Sequence, residues 1–161
     1  MSQASELEKY SDTINLSLGD PDVDTNARII QLTFEDIKTG YTHYAKPYGD
    51  DELKAEIIKY YKSNYSCDID KKEIFISAGA DHATFLSLSS ILNPDEEVII
   101  IEPYYPAYIA QIKLAGGCVK VFKTFESEGF NINVNKLSQA ISSKTKILII
   151  NYPNNPTGVC I

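Results

Sequence analysis

Short apolar runs alternate with longer helical patterns along the chain from about residue 73 onward. Runs such as EVIIIE (97–102) and KILIIN (146–151) are apolar on both faces, which is typical of strands covered by helices on two sides. The pattern predicts strands at 73–77, 97–102, 118–124 and 146–151. Between them it predicts helices at 80–92, 106–115 and 134–142. Strands that alternate with helices favour right-handed crossovers and a largely parallel sheet, so the predicted class is α/β.

The first third of the chain has a different pattern. Helical spacing of apolar residues predicts a helix from 26 to 38, followed by a loop rich in Tyr, Gly and Pro at 40–49. Asp50 or Asp51 is then expected to cap a second helix from 52 to about 63. Neither internal repeats nor low-complexity runs interrupt the sequence.

Composition and charge narrow the classes of function. Hydrophobic residues make up 43% and charged residues 23% of the 161 residues, which is ordinary for a soluble globular protein. The net charge of −7 repels phosphate backbones, so nucleic acid is a poor candidate partner. The apolar runs are far shorter than the roughly 20 residues of a membrane helix, and the N-terminus does not resemble a secretory or mitochondrial leader. We therefore expect a cytoplasmic protein without a membrane partner.

The cysteines give little support for a metal site. Three are present, at Cys67, Cys118 and Cys160, and no Cys-x-x-Cys spacing occurs. Neither histidine lies near a cysteine in the sequence. We expect buried or idle thiols in a reducing compartment and no bound metal.

The loops that follow the strands hold the candidate chemistry, because open α/β sheets bind ligands beyond the carboxyl ends of their strands. Residues 77–82 (SAGADH) follow a predicted strand and open a helix, so the free N–H groups of Ala80 and Asp81 face one space with the helix dipole. That arrangement suits a phosphate. The alternative is a plain turn in which Asp81 serves the helix start. The glycine fingerprints of dinucleotide and P-loop sites are absent.

Two further loops have unusual compositions. Residues 102–108 (EPYYPAY) place three tyrosines beside two prolines, forming either an aromatic wall for a flat ring or a cover for the sheet edge. Residues 151–158 (NYPNNPTG) hold two prolines, one of them a candidate cis residue, and adjacent amides at the end of a strand. Such an amide can donate a hydrogen bond to a ring oxygen, although asparagine and proline also occur in ordinary turns.

The motif P-x-N-P-T-G at 153–158 is specific, and other segments agree with it in order: LSLGDPD (16–22), HYAKPYGDDELKAEI (43–57), ISAGADHA (76–83), NPDEEVIIIEPYYPAY (93–108) and NYPNNPTG (151–158). On these segments the chain resembles the N-terminal portion of a class I/II aminotransferase, a pyridoxal-phosphate enzyme with the aspartate-aminotransferase fold. The resemblance implies a three-layer α/β sandwich with a largely parallel sheet, the fold-type I large domain, incomplete in this chain. Residues 1–45 would form the N-terminal arm and the start of the small domain, and residues 46–161 the first half of the large domain.

The resemblance also implies roles for individual residues at a site for pyridoxal 5′-phosphate. Backbone amides of Gly79, Ala80 and Asp81 would bind the phosphate, while the Asp81 side chain would cap the helix. Tyr105 would stack on the pyridine ring. Asn155 would hydrogen-bond the ring hydroxyl oxygen.

Other implied roles reach beyond this cluster. Tyr44 would bind the phosphate in the neighbouring subunit, which implies a homodimer with shared sites, and Gly19 would let backbone approach the substrate carboxylate. No catalytic residue is assigned in this chain, because the Schiff-base lysine is expected beyond Ile161, as are the pyridine carboxylate and the substrate-binding arginine. We therefore expect the 161 residues alone to be inactive, and the whole enzyme to move an amino group between an amino acid and a 2-oxo acid.

Alternatives stay open at this point. Pyridoxal-phosphate C–S lyases and aminocyclopropane-carboxylate synthases share these motifs, and a non-catalytic cofactor-binding remnant would share them too. A transcription regulator fits less well, because no helix-turn-helix pattern precedes the arm and the chain is acidic.

Overall fold

The computed structural model describes residues 12, 14, 19 and 21–161. The chain divides into two compact units, Met1–Ala45 and Lys46–Ile161. Among the described residues, every helix is too short or too polar to cross a membrane.

The first unit contains helix α1, Ala27–Lys38. Asn26 caps its start, and the Asn26 side-chain oxygen accepts a hydrogen bond from the Arg28 N–H at 2.9 Å. Thr39 ends the helix, and its N–H donates to carbonyls of the last turn. All twelve residues of α1 are exposed, including its apolar side chains.

The second unit contains the sheet and the other helices. Asp50 caps its first helix by accepting hydrogen bonds from the N–H groups of Glu52 and Leu53 at 2.8 and 3.0 Å. The elements in order are α2 (Asp51–Tyr65), a 3₁₀ turn (Lys71–Glu73), α3 (Ala80–Ile91), β1 (Glu97–Glu102), α4 (Ala107–Leu114), β2 (Cys118–Lys123), a 3₁₀ turn (Glu126–Glu128), α5 (Val134–Ala140) and β3 (Thr145–Ile149).

The three strands form a parallel sheet in the order β2-β1-β3, so β1 is central. Each face of β1 supplies one half of the core. On one face Val98 and Ile100 pack with side chains of α3 and α4, and on the other Ile99 and Ile101 pack with Leu137 of α5. Helices therefore cover both faces of the sheet, which confirms the predicted three-layer α/β arrangement.

The predicted strand at 73–77 is wrong. Residues 71–73 form a 3₁₀ turn, Ile74 has an extended backbone, and residues 74–77 enter no ladder. Two backbone hydrogen bonds are made there: the Ile74 N–H donates to the Lys71 carbonyl and the Ile76 N–H donates to the Tyr48 carbonyl, both at 3.4 Å. An apolar extended sequence becomes a strand only where a second strand lies beside it. The remaining predicted helices and strands exist, with ends that differ by at most two residues.

Candidate functional site

An open cavity of about 490 Å³ lies where the loops after β1 and β3 meet the start of α3. Its lining residues come from three separate parts of the chain: Ala78, Gly79, Ala80, Asp81, Thr84, Tyr105, Tyr108, Asn151 and Asn155. The structure thus brings together the five residues of this unit that the sequence suggested for a cofactor. The position agrees with the general preference of α/β sheets for ligands at the carboxyl ends of strands.

The start of α3 is an uncapped helix N-terminus. Gly79 is the N-cap residue, with φ +90° and ψ 169°, a backbone conformation that is essentially restricted to glycine. Among the described residues, no side chain caps this end. The N–H groups of Ala80 and Asp81 belong to the first turn, which has no carbonyl partner within the helix. This end of α3 therefore presents hydrogen-bond donors and a positive dipole end to the cavity.

The carboxylate of Asp81 does not cap the helix, so that expectation is wrong. Its Oδ2 accepts a hydrogen bond from the Tyr105 hydroxyl at 3.3 Å, and its Oδ1 accepts one from Gln111 Nε2 at 3.2 Å. The reason is positional: Gly79 occupies the cap, and Asp81 lies inside the first turn beside the neutral donors of Tyr105 and of Gln111 in α4. The charge of Asp81, together with this hydrogen bond, raises the pKa of Tyr105 above its usual range.

Two tyrosines form the aromatic side of the cavity. The rings of Tyr105 and Tyr108 meet edge to face, with centroids 5.6 Å apart. Tyr108 also packs against the core of β1, and its burial, followed by the charge of Asp81, raises its pKa. Tyr104 packs on the same core but does not line the cavity. The loop therefore places two rings at the cavity and uses the third, Tyr104, as support.

The loop after β3 is tied to the loop after β1 by Asn154. This residue is buried; its amide donates to the Pro103 carbonyl at 3.0 Å, and its Oδ1 accepts from the Thr157 N–H and hydroxyl at 3.1 and 2.7 Å. The Tyr152–Pro153 and Asn155–Pro156 bonds are both cis, as is Glu102–Pro103. Asn155, next in the chain, is exposed and lines the cavity.

Some lining residues were missed from the sequence. Thr84 and Asn151 line the cavity, and Gln111 lies behind it as a partner of Asp81. Helical spacing was the available signal for Thr84, which follows Ala80 by one turn and donates its hydroxyl to the Ala80 carbonyl at 3.0 Å. Position at the end of a strand was the signal for Asn151. Gln111 carried no such signal, because its partner lies thirty residues away.

The other candidate residues lie elsewhere. Tyr44 and Gly19 belong to the unit Met1–Ala45, where both are exposed. The cysteines Cys67, Cys118 and Cys160 are exposed and unpaired, so they are not buried as one reading suggested. In the part of the chain that the structure describes, no three His, Cys, Asp or Glu side chains are grouped as metal ligands.

The cavity fits a flat ring that carries an anionic group. The lining residues include one carboxylate and neither lysine nor arginine, so the donors available to an anion are uncharged, the N–H groups at the start of α3 among them. Tyr105 offers an aromatic face, and the amide of Asn155 offers a donor for an oxygen on the ring. A phosphorylated aromatic molecule uses all three features at once.

The fold and this cavity define an α/β protein whose sheet carries, at its carboxyl edge, an open cavity lined by a helix N-terminus, two tyrosines and an exposed amide. The sequence profile of the aminotransferase class I and II family matches residues 11–161, and the chain belongs to that family. This finding confirms the resemblance drawn from the five segments.

Individual relatives agree with the family. The chain is 38% identical over 148 residues to a protein of Methanocaldococcus jannaschii named probable aspartate aminotransferase, covering 92% of this chain and 39% of the relative. It is 37% identical over 153 residues to the aspartate aminotransferase of Thermotoga maritima, covering 95% of this chain and 41% of that protein. The chain thus spans about two fifths of the length of these relatives.

Solved structures give the same picture. The crystal structure of the Thermotoga maritima aspartate aminotransferase superposes with a TM-score of 0.89 at 36% identity, covering 98% of this chain and 42% of that one. The aromatic aminotransferase of Pyrococcus horikoshii superposes with a TM-score of 0.84 at 37% identity, covering 97% and 42%. These similarities confirm the fold type that the resemblance implied.

Proposed function

We propose that this chain is part of a pyridoxal-5′-phosphate-dependent aminotransferase, and that the whole enzyme moves an amino group between an amino acid and a 2-oxo acid. The observation that carries this proposal is the cavity in which an uncapped helix N-terminus, an aromatic ring and an exposed amide converge. Family membership supports it. Because the chain covers about two fifths of its relatives, the activity is proposed for the whole protein.

Each lining residue has a role in this proposal. The N–H groups of Gly79, Ala80 and Asp81 bind the phosphate, whose negative charge is stabilised by the dipole of α3. Tyr105 stacks on the pyridine ring, and Asn155 donates a hydrogen bond to the ring hydroxyl oxygen. When bound, the cofactor supplies an electron sink for the carbon that loses its proton.

The residue that transfers the substrate proton is proposed to be a lysine that is not among the residues lining this cavity. No lysine is among the residues that line it. We propose that the Schiff-base lysine, the carboxylate that partners the pyridine nitrogen and the substrate-binding arginine lie beyond Ile161. The 161-residue chain by itself is then expected to bind the cofactor without turning over substrate.

Two residues of the first unit also have proposed roles. Tyr44 is fully exposed, so its hydroxyl is free to reach a phosphate in a neighbouring subunit of a homodimer. Gly19 is exposed, and a Cβ there would meet no atom within 4 Å, which leaves room for a substrate carboxylate at its backbone. In this proposal residues 1–45 are the arm and start of the small domain, residues 46–161 belong to the large domain, and the protein works in the cytoplasm.

The names of the matched relatives favour transamination over the lyase, synthase and remnant alternatives. An assay separates these reactions directly. Amino donors, with aspartate included, are incubated with a 2-oxo acid and the cofactor, and the new amino acid is measured beside released ammonia and thiol. Transfer without release supports the proposal, whereas release of ammonia and a thiol from a thioether amino acid would establish a lyase.

Cofactor binding is tested on the 161-residue chain by isothermal titration with pyridoxal phosphate and with pyridoxal, which lacks the phosphate. We expect pyridoxal phosphate to bind at least tenfold more tightly, since the helix N-terminus contacts the phosphate. Asn155→Ala should weaken binding about tenfold, the equivalent of one hydrogen bond of roughly 1.4 kcal/mol. Asn64→Ala, at an exposed asparagine of α2, is the matched control. Equal affinity for the two ligands would refute the phosphate site.

A further inference from the structure

Gln111 on α4 is a buried side chain with two bonds to a single residue. Its exposure is 8%, and its Nε2 lies 3.2 Å from Oδ1 of Asp81 and 3.3 Å from the Asp81 carbonyl oxygen. Gln111 is not among the residues that line the cavity. Its side-chain hydrogen bonds reach the cavity wall through Asp81.

The orientation of this amide is set by Asp81. A primary amide has a donor end and an acceptor end, and only the donor end can face a carboxylate. In consequence Oε1 of Gln111 is buried and, among the described residues, has no hydrogen-bond partner. Both Asp81 atoms that Nε2 contacts are acceptors, which is why the donor end of the amide faces them and Oε1 faces away.

A second set of hydrogen-bond donors competes for the carboxylate of Asp81. It belongs to the first turn of α3, whose free N–H groups carry the positive end of the dipole and attract anions. A carboxylate that turned to those groups would occupy the donors that an incoming phosphate needs. No lysine or arginine lines the cavity to neutralise it.

We propose that Gln111 is a positioning residue that, together with the Tyr105 hydroxyl, holds the Asp81 carboxylate off the N-terminus of α3 and so keeps the backbone N–H groups free for an anion. The identity of that anion as the cofactor phosphate rests on the proposed function. The Asp81 carboxylate then orients Tyr105 by accepting its hydroxyl hydrogen bond, and the negative charge of Asp81 stays away from the N–H groups of α3.

The first test is a double-mutant cycle. Gln111→Met keeps the volume but removes the donor, and binding of inorganic phosphate and of pyridoxal phosphate is measured by titration calorimetry. We expect Q111M to weaken both about tenfold in the wild-type background and to have no effect in the D81A background, where no carboxylate can compete. A purely structural role of Gln111 would weaken binding equally in both backgrounds, and that result would overturn the proposal.

Controls keep this cycle interpretable. Gln139→Met, at an exposed glutamine of α5, should leave binding unchanged. Thermal unfolding of each variant checks that the fold is retained. If Q111M does not fold, Gln111→Asn takes its place, because it keeps an amide but is one methylene too short to reach the carboxylate.

The second test needs no cofactor. In ¹³C-tyrosine-labelled protein, with Tyr105→Phe assigning the signal, the Tyr105 titration is followed by NMR. The nearby Asp81 raises the pKa of Tyr105, so we expect Q111M and D81A each to lower it toward the ordinary value. An unchanged titration in Q111M would overturn the positioning role. A lowered titration in a protein that binds no pyridoxal phosphate would instead retain that role and refute the proposed function.

Discussion

Glycine at position 79 is required by backbone geometry and not by crowding. A Cβ there would meet no atom within 4 Å, yet φ is +90° with ψ at 169°. Side chains are strongly disfavoured in this region of backbone space. The residue that starts α3 therefore sets the direction in which the first N–H groups point.

Gly79→Ala should destabilise the protein by about 1–3 kcal/mol, because alanine must adopt a conformation that costs that much or shift the backbone. We also expect phosphate binding to weaken at least tenfold, since the donors move with the backbone. Gly116→Ala is the matched control: its φ is +84° and its Cβ would also meet open space, but it lies outside the cavity. We expect denaturant unfolding to show a loss of stability in G116A, and calorimetry to show unchanged phosphate binding. Equal losses of binding would contradict the assignment.

Two neighbouring asparagines should separate stability from binding. Asn154→Ala leaves the Pro103 carbonyl and the Thr157 donors without their partner, so we expect a loss of about 2–3 kcal/mol in the free energy of unfolding. Asn155→Ala, at an exposed residue, should change stability by less than about 0.5 kcal/mol and weaken cofactor binding. Urea unfolding and calorimetry on both variants give the comparison. If Asn155→Ala lost stability while Asn154→Ala lost only cofactor binding, the roles assigned to these two residues would be wrong.

For single residues, the sequence predicted five of the residues that line the cavity, missed Thr84 and Asn151, and did not predict the hydrogen bonds among the side chains. Asn155 and Tyr105 were identified through a resemblance of motifs, and both line the cavity. Asn154 and Gln111 were not identified, because their partners Pro103 and Asp81 are distant along the chain. The side chain of Asp81 was assigned to the wrong partner for the same reason. The sequence around a residue shows that its side chain can donate a hydrogen bond, but it does not show which distant residue accepts that bond.

Among the elements, β1 is held to both neighbours by one carboxylate at its first residue. Oε2 of Glu97 accepts hydrogen bonds from Lys120 Nζ of β2 at 3.1 Å, from the Ser142 hydroxyl at 2.8 Å and from the Thr145 hydroxyl of β3 at 3.1 Å. The bond from Ser142, then that from Lys120, lowers the pKa of Glu97 below its usual range. The charged form is therefore favoured by folding.

Glu97→Gln should reduce stability most at neutral pH. A carboxyl whose pKa is lower in the folded state stabilises above its unfolded pKa of about 4.3 and loses this effect as the pH falls through the folded value. We therefore expect the difference between wild type and E97Q to be large at pH 7 and to shrink below about pH 4. Urea unfolding at pH 7 and pH 3 measures it, with exposed Glu128→Gln as control. A difference that grows on acidification would contradict this account.

The elements themselves were largely predictable. Apolar runs bounded by turn residues located β1, β2 and β3, and Asp50 was recognised as one of two candidate caps. The segment 74–77 has the composition of a strand, but the described residues offer it no ladder neighbour. Strand composition is a local property and strand pairing is not, so the pattern was misleading only where pairing decided the outcome.

For the 161-residue chain taken as one body of charge, the net charge of −7 opposes the arrival of a phosphorylated ligand at a cavity wall without lysine or arginine. Salt screens this repulsion, since the Debye length falls to about 10 Å at 0.1 M ionic strength. We therefore expect the association rate of pyridoxal phosphate to rise between about 10 and 200 mM salt. Stopped-flow mixing measures it, with pyridoxal as the control that should not respond. A rate that falls with salt would indicate attraction by a basic surface.

The position of β1 has a consequence for how the molecule forms during synthesis. In space β1 lies between β2 and β3, but along the chain it precedes both. A ribosome therefore releases the most apolar strand before either neighbour exists. Its partner β2 begins twenty-one positions later, at Cys118, and β3 follows only at Thr145. Among the strands that the structure describes, the central one is therefore synthesised first, and α3, which precedes β1 in the chain, is available to cover the first exposed face of the strand.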